Sequence, residues 1–329
     1  MKILAIESSC DESCVAIIDT ESEKILADIV HSHVAATQRF GGIVPEVISR
    51  EHIKALPLAY VEALKASDLK DSDIDWIAVT GKPGLIGSLL VGVSFAKGLA
   101  YALKKPFSTL SHIEAHLYSP LIEREKAPPF PWIALVVSGG HTELFKVDSE
   151  AEFEWLGGTV DDAAGEAFDK IGKLLGMGYP AGPVIDRLVR ESHFSGEPLN
   201  FPIANTDGFN FSFSGLKTAV SLSISKNQPL TPENTWLIAK GAQEAILGAL
   251  VKKVKVAQLK YGISSVVVTG GVACNSRLRT LLEKGTFPSS KYCSDNGAMV
   301  ALLASLRHKS GRLAPSPWNE APSRKTAML

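Results

Sequence analysis

The chain has 329 residues, of which 45% are hydrophobic and 21% charged, which excludes a disordered chain and gives enough length for two globular domains. The formal net charge is −1, so overall charge does not attract nucleic acid, and any such contact must come from a local patch. The four cysteines form no Cys-x-x-Cys pair, which predicts reduced thiols in a cytoplasmic protein.

The chain begins with a predicted hairpin. Residues 3–19 consist of an apolar strand, the polar turn SSCDES and a second apolar strand. Asp11 and Glu12 lie in this turn, either as ordinary turn acids or as groups that orient a metal or the counterion of a phosphate. A strand, a glycine turn and a helix follow at 76–100. Because the apolar run 85–103 contains a central lysine and three glycines, we predict a buried core helix and no membrane span.

A pair of histidines follows in SHIEAHLYSP, residues 111–120. If this segment is helical, His112 and His116 project from one face, one turn apart. Neutral imidazoles so placed suit zinc or iron, and the alternative is two buried histidines that bind backbone carbonyls. The spacing does not match the His-Glu-x-x-His pattern of zinc peptidases. Glu114 would leave the helix on its other side, where it could not act as a general base at that metal.

The second half of the chain repeats the plan of the first. Residues 133–148 form a predicted hairpin with Gly139 and Gly140 at its turn, which is either an ordinary turn or a place where a ligand approaches the backbone. Residues 265–282 contain a strand, a glycine turn and a helix, as at 76–100. This duplication predicts two related α/β domains.

The domain boundary is predicted at APPFPW, residues 127–132, which contains three prolines. This gives domains 1–127 and 128–329, with the option that the helix after about residue 296 packs back on the first domain. Within the second domain, Thr231 as an N-cap and Gly262 as a C-terminal stop predict a long helix.

Carboxylates are spaced along the predicted helix 161–175. Asp162, Glu166 and Asp169 lie at i, i+4 and i+7, and such a stripe is usually a solvated face. A Pro-Gly turn and Asp186 follow at once. The alternative is therefore that these carboxylates form one wall of a nucleotide pocket.

Three later segments leave further alternatives open. Phe209, Phe211 and Phe213 alternate, which predicts a core-facing strand, with base stacking as the weaker alternative. Asn275 follows the second glycine turn and either hydrogen-bonds a sugar or base or caps a helix. Asp295 stands just before a predicted helix, as an N-cap or as a third metal ligand.

Together these segments resemble the bacterial tRNA N6-adenosine threonylcarbamoyltransferase family, TsaD, once called glycoprotease or O-sialoglycoprotein endopeptidase. The motifs span nearly the whole chain in order: IESSCDES, HIEAH, VSGGHTELF, DDAAGEAFDKIGKLLG, YPAGP, FSFSGLKTAV, TGGVACNSRLR and SDNGAM. The resemblance implies the actin, sugar-kinase and Hsp70-like (ASKHA) α/β fold, with two duplicated ribonuclease-H-like domains around a nucleotide cleft. It also implies transfer of threonylcarbamoyl from threonylcarbamoyl-AMP to N6 of the adenosine beside the anticodon, in tRNAs that read codons beginning with A, to form t6A.

The resemblance further implies which residues form the site. One metal ion, iron or zinc, would be bound by His112, His116 and Asp295. The adenylate, or ATP or ADP in the same cleft, would be held by Val136, Val137, Ser138, Gly139, Gly140, Asp169, Gly182, Asp186 and Asn275. The catalytic residues near the reacting end would be Asp11 and Glu12.

The chain departs from the family pattern at a few positions. Ala181 stands in YPAGP where glycine is usual, and adds a methyl group. Val136 stands where archaeal relatives carry a tyrosine, as suits the bacterial branch, which leaves three protein ligands for the metal. The segment after Arg312 matches the family weakly.

The partners that the resemblance implies are tRNA, a TsaB-like paralogue and a TsaE-like ATPase. Because the chain is nearly neutral, we predict that partners supply much of the tRNA contact and that the isolated chain binds tRNA weakly. Two other interpretations are an ATPase or kinase of the same fold and a non-catalytic paralogue. The first would usually hold Mg²⁺ through carboxylates and water, and the second would lack the histidine pair.

Overall fold

The computed structural model describes residues 1–324, and the chain divides into two compact units. The first unit consists of Met1–Ala127 together with the segment that begins at Pro288. The second unit consists of Pro128–Phe287. Each unit is built on one mixed β-sheet.

The first unit contains a five-stranded sheet. Its strands are β1 Lys2–Glu7, β2 Glu12–Asp19, β3 Lys24–Ser32, β4 Trp76–Lys82 and β5 Phe107–Ser111, in the order β3-β2-β1-β4-β5. β2 is antiparallel to β1 and β3, whereas β4 is parallel to β1 and β5. The helices of this part of the chain are α1 Val34–Thr37, α2 Pro45–Ser67, α3 Ile86–Leu103 and α4 His112–Tyr118, with 3-10 helices at Gln38–Phe40, Asp71–Asp73 and Ser119–Lys126.

The second unit repeats this strand order on a smaller scale. Its strands are β6 Trp132–Val137, β7 Thr142–Val147, β8 Phe153–Gly158 and β9 Val266–Thr269, in the order β8-β7-β6-β9 and with the same directions as in the first sheet. In place of a fifth strand, Thr286 alone forms a parallel bridge to Val267. The helices are α5 Ala164–Leu174, α6 Ala181–Glu191, α7 Ser214–Lys226, α8 Pro232–Tyr261 and α9 Ser276–Leu281, with a 3-10 helix at Gly271–Cys274.

The chain then returns to the first unit with α10 Ser290–Cys293 and α11 Gly297–Lys309. Because side chains alternate along a strand, the two faces of β2 pack on different helices. Val15 and Ile17 join the core that contains residues of α2 and α3. Ala16 faces α11, where a Cβ atom on Gly297 would lie only 2.8 Å from the Ala16 nitrogen. Helices therefore cover both faces of this sheet.

The segment after α11 lies along the edge of the first sheet. The Ser316 amide donates to the Phe107 carbonyl at 2.8 Å, and the Ser108 hydroxyl donates to the Ala314 carbonyl at 2.6 Å. β5 is the edge strand, and an uncovered edge would expose unpaired backbone groups. This contact gives the segment after Arg312 a structural role, although its sequence resembles the family weakly.

α3 is the helix that corresponds to the apolar run 85–103. By length and composition alone it could cross a membrane, and a helix in the core of a globular domain passes the same test. It packs on β4 and α2 through one face of small and apolar residues, and a third of it is buried. Leu90 and Tyr101 are exposed. The prediction of a buried core helix was therefore wrong for the outer face, since burial is concentrated on the side that meets the sheet and α2.

Two other predicted elements differ from the structure. α5 begins at Ala164 and not at residue 161, because the Asp161 carboxylate accepts hydrogen bonds from the Ser212 and Ser214 hydroxyls and the Phe213 amide. The three alternating phenylalanines are buried, as predicted, but they form no strand. Only Phe211 makes a bridge, to Thr159, so the chain there is irregular. Their burial also removes the base-stacking alternative.

Candidate functional site

The histidine pair lies at the start of α4, directly after β5. The Ser111 hydroxyl accepts a hydrogen bond from the Glu114 amide at 3.3 Å and so caps the helix at the point where the strand ends. His112 and His116 therefore leave the same face, with their ring centroids 4.7 Å apart. Both side chains are buried, at 2% and 0% exposure.

Asp295 reaches these imidazoles from the residues before α11. Its Oδ1 atom lies 3.0 Å from His116 Nε2 and 3.5 Å from His112 Nε2. The N-cap of α11 is Asn296, whose side-chain oxygen accepts from the Met299 amide at 2.9 Å. The N-cap alternative for Asp295 was therefore wrong. Two imidazoles and a carboxylate offer ligand atoms within 4.8 Å of one another, which is a suitable set for a transition metal.

Glu7, at the end of β1, fixes the orientation of His112. Its Oε2 atom lies 3.0 Å from His112 Nδ1. A carboxylate held ionised only accepts, so Nδ1 carries a proton toward Glu7, and Nε2 is the ring nitrogen that faces Asp295. Burial acts to raise the pKa of Glu7, but attraction to the His112 ring and hydrogen bonds, including one from Ser9, hold that pKa below its usual value. Glu7 was not among the site residues predicted from the sequence, although an acid that ends an apolar strand (KILAIE) is a recognisable signal.

His116 is held in the form that binds metals. Burial lowers the pKa of His116, with repulsion from His112 acting in the same direction and Asp295 opposing it. A neutral imidazole is the ligand form. Among residues 1–324, His116 Nδ1 has no hydrogen-bond partner. The donor set and its protonation therefore both fit a bound metal ion.

The hairpin turn places two more carboxylates near this cluster. Asp11 lies in the turn and Glu12 begins β2. Burial, together with repulsion from Asp295 and Asp11, raises the pKa of Glu12 well above its usual value. A cation among these acids would offset that repulsion.

Glu114 does not join this group. Its carboxylate forms an ion pair with Arg307 of α11, through Nε and a terminal guanidinium nitrogen. The geometry agrees with the expectation from helical spacing that Glu114 leaves α4 on the other side from the histidines. The general base of a zinc peptidase is therefore missing at this position.

The glycine turns of the second unit are close together at the ends of β6 and β9. Val136 and Val137 end β6 with fully buried side chains, so only their backbone is available to a ligand. The turn at Ser138 is held by its own hydrogen bonds with His141. Gly139 and Gly140 are exposed, and a Cβ atom on either would meet nothing within 4 Å. A ligand can approach the backbone at these two glycines.

Gly270 makes the second turn possible. Its φ is +92°, and a Cβ atom there would lie 2.3 Å from the Val137 carbonyl oxygen. Only glycine fits this left-handed conformation and this close approach. Asn275 then caps α9, since its oxygen accepts from the Leu278 amide at 3.0 Å, while its amide nitrogen donates to Gln243. Of the two alternatives for Asn275, the structure shows the helix cap.

Asp169 and Asp186 each bind the start of a helix. Asp169 accepts from the Ala181 amide at 2.7 Å, at the beginning of α6. Asp186 accepts from the Ser276 hydroxyl at 2.7 Å and from its amide at 3.2 Å, at the beginning of α9. The other two members of the predicted stripe, Asp162 and Glu166, bind Lys170, as a surface stripe would.

The Ala181 methyl group is directed into the contact between α5 and α6. Ala181 is 2% exposed, and a Cβ atom on Gly172 would lie 2.1 Å from the Ala181 Cβ. Gly172 therefore leaves the space that Ala181 occupies. Its neighbour Gly182 has room for a side chain, since the nearest atoms to an added Cβ are those of Phe168 at 3.8 Å.

Comparisons with known proteins agree with this architecture. Residues 24–302 match the family model of TsaD, the tRNA N6-adenosine threonylcarbamoyltransferases. The chain belongs to this family. It is 44% identical over 323 residues to the tRNA N6-adenosine threonylcarbamoyltransferase of Nitrosospira multiformis, with 94% of this chain and 92% of the relative covered. It is 43% identical over 331 residues to that of Caldicellulosiruptor saccharolyticus, with 98% and 97% covered.

Solved structures at lower identity show the fold. Component A of the (R)-2-hydroxyglutaryl-CoA dehydratase of Acidaminococcus fermentans matches with a TM-score of 0.57 at 18% identity, over 94% of this chain and 99% of that one. Full-length HypF in its phosphate- and nucleotide-bound form matches with a TM-score of 0.60 at 16% identity, over 94% of this chain and 55% of that one. The predicted ASKHA fold is confirmed. The predicted family and activity are also confirmed: the chain is a transferase that places threonylcarbamoyl on N6 of a tRNA adenosine.

Proposed function

We propose that this threonylcarbamoyltransferase binds one metal ion, iron or zinc, through His112, His116 and Asp295, and takes threonylcarbamoyl-AMP as its donor. The observation that carries the proposal is the convergence of two buried imidazoles and one carboxylate within 4.8 Å. The hydrogen bond to Glu7 supports it, because this bond orients the ring so that His112 Nε2 faces the other two ligands. When bound, the metal would orient the threonylcarbamoyl group and polarise one of its oxygens as a Lewis acid.

The donor is a mixed anhydride, so its AMP leaving group is already good and positioning is the main requirement. The N6 atom attacks the threonylcarbamoyl carbonyl, the bond from that carbon to the phosphate oxygen breaks, and N6 loses one proton. We assign acceptance of this proton to Glu12, with Asp11 beside it. A carboxylate whose pKa is raised by burial and by neighbouring acids is a stronger base than an exposed one. No Ser-His or Cys-His nucleophile is needed.

In this proposal the adenylate binds the second unit, at the turn formed by Val136, Val137, Ser138, Gly139 and Gly140. The open backbone at the two glycines and the tight turn at Gly270 support this assignment. The other adenylate-binding residues we propose are Asp169, Gly182, Asp186 and Asn275. Three of them bind the beginnings of α6 and α9, so the proposal places the adenylate beside these two helix starts.

We further propose that the enzyme acts in the cytoplasm with a TsaB-like paralogue and a TsaE-like ATPase. The near-neutral charge of the chain supports a division of labour in which partners provide much of the tRNA contact. The isolated chain would then bind tRNA weakly. A tight, salt-resistant complex of the isolated chain with tRNA would contradict this part of the proposal.

The experiment measures transfer of labelled threonine from pre-made threonylcarbamoyl-AMP to unmodified tRNA, with both partners present. His112→Ala is compared with wild type, and His31→Ala is the matched control because His31 lies at the surface beside Glu62. Label that requires His112 and not His31 supports the proposal. Label that is independent of His112 would remove the metal role.

A further inference from the structure

The turn between β1 and β2 is held by donors from three separate elements. The Ser9 carbonyl accepts from the Leu85 amide at 2.8 Å, just before α3. The Asp11 carbonyl accepts from the His33 amide at 2.8 Å, just before α1. Between them, the Cys10 carbonyl accepts from His52 Nε2 at 2.9 Å. We name these three contacts the carbonyl clamp. Two of the donors are backbone amides, and the third is the side chain of His52, which belongs to α2.

The protonation state of His52 follows from its partners. A carbonyl only accepts, so Nε2 of His52 carries a proton. In the neutral ring Nδ1 then has a lone pair, and the Ser13 hydroxyl lies 2.6 Å away as its donor. The Ser13 oxygen in turn accepts from His33 Nε2 at 2.8 Å. The hydrogen bonds therefore run in one direction, from His33 through Ser13 and His52 to the Cys10 carbonyl.

Burial favours this neutral chain of hydrogen bonds. Ser13 and His52 are 0% exposed and His33 is 8% exposed. Burial lowers the pKa of both histidines, and repulsion between the two rings lowers that of His33 further. The network is separate from the three metal ligands, so the metal does not account for these buried histidines.

The carbonyl clamp overlaps the segment that carries the reactive carboxylates. Cys10 precedes Asp11, and Glu12 follows as the first residue of β2. The turn is closely packed against Gly84, since a Cβ atom on that residue would lie 2.6 Å from the Ser9 carbonyl oxygen. A shift of the Cys10 carbonyl therefore moves the backbone that carries both carboxylates.

We propose that His52 is a positioning residue for acyl transfer, which holds the Cys10 carbonyl so that Asp11 and Glu12 face the reacting group. Ser13 and His33 select the His52 tautomer that can donate this hydrogen bond. The inference rests on the proposed role of Asp11 and Glu12. It assigns no substrate contact to His52 itself.

The test compares two replacements that reach different distances from the backbone. In His52→Gln the side-chain amide nitrogen takes the place of Nε2 and can still donate to the Cys10 carbonyl. In His52→Asn the amide nitrogen takes the place of Nδ1 and cannot reach that carbonyl. Because a displacement of about 1 Å can cost about 100-fold in rate, we expect kcat to fall about 100-fold in His52→Asn. We expect His52→Gln to recover most of this loss, with KM for threonylcarbamoyl-AMP and the metal content unchanged in both. His31→Gln is the control, because His31 is a partly exposed histidine of β3 that lies outside this chain of hydrogen bonds.

Equal losses in the two variants, or wild-type kcat in His52→Asn, would overturn the proposal. A second measurement does not depend on activity or on the stability of variants. In the wild-type chain with ¹⁵N-labelled histidine, two-bond ¹H–¹⁵N spectra should show His52 neutral with its proton on Nε2. A proton on Nδ1, or a charged ring at neutral pH, would overturn the clamp. An inactive wild type would contradict the proposed function instead, and the spectrum would still decide whether the clamp exists.

Discussion

The two units have sheets of the same topology, and they differ at the position of the fifth strand. In the first unit β5 is five residues long and runs directly into α4 with His112 and His116. In the second unit the corresponding position is a single bridge at Thr286, after which the chain returns to the first unit. That return delivers Asp295 to the histidines. The proposed metal ligands therefore come from the region in which the two units differ most, the fifth strand and the residues that follow it.

The hairpin turns of the two units also differ, the first after β1 and the second after β6. Glu7 and Val137 are the last residues of β1 and β6, and both are fully buried. The turn after Glu7 is clamped by three external donors and carries acids, whereas the turn after Val137 exposes Gly139 and Gly140. One turn is built to position side chains, and the other leaves its backbone open to a ligand.

The largest expected effect concerns the residue that follows each turn. Glu12→Gln removes the proposed proton acceptor and should lower the transfer rate about 100-fold or more, with little change in stability. Thr142 begins β7 in the equivalent place, and its hydroxyl accepts from the Ala164 amide at 2.8 Å at the start of α5. Thr142→Ala should therefore destabilise the chain by about 1 kcal/mol. Transfer kinetics and urea unfolding check both variants, and a fully active Glu12→Gln enzyme would contradict the assignment.

The next effect tests Glu7, in whose place at the end of β6 the second unit has Val137. Glu7→Gln places an amide among the Ser9, Thr80 and His112 donors, so at least one of them loses its acceptor. We expect metal affinity to fall about 10- to 100-fold, as for other outer partners of ligand histidines. Thr80→Val is the control, because it removes a hydrogen bond to Glu7 but leaves the His112 contact. Competition with a metal chelator measures the affinity, and equal losses in both variants would reject the specific role of Glu7.

Sequence patterns predicted the parts of this molecule that depend on local chemistry. Thr231 caps α8 and Gly262 ends it in a left-handed conformation, as their residue types indicated. The shared face of His112 and His116 follows from helical spacing alone. The start of α5 was not predictable in this way, because Asp161 is engaged by residues about fifty positions later. Likewise Glu7 and His52 acquire their roles from α4 and from the turn, which are distant in sequence.

A smaller effect is expected at the contact between α5 and α6 in the second unit. Gly172→Ala should destabilise the chain by about 1–3 kcal/mol, because the new methyl group would overlap that of Ala181. The double variant Gly172→Ala with Ala181→Gly should recover most of this loss. Urea unfolding of the two single variants and the double variant gives the coupling between the sites. Additive effects would show that the two methyl groups do not compete for one space.

The smallest effect is predicted for Glu114. Glu114→Gln weakens a partly exposed ion pair with Arg307, which should cost at most about 1 kcal/mol. Transfer rate and metal content should stay within about twofold of wild type, since the side chain leaves α4 away from the histidines. A large loss of activity with normal stability would revive a general-base role for Glu114.

The proposed metal centre is tested most directly by the metal content of the purified chain. Apo protein is reloaded with iron or zinc and assayed by plasma mass spectrometry, for wild type, His112→Ala, His116→Ala and the surface control His31→Ala. We predict one tightly bound ion in wild type and in the control. In His112→Ala and His116→Ala we predict metal binding weaker by at least about 100-fold, because loss of a ligand should exceed the effect of losing a residue that only orients a ligand. Undiminished binding without His112 or His116 would contradict a metal centre on α4.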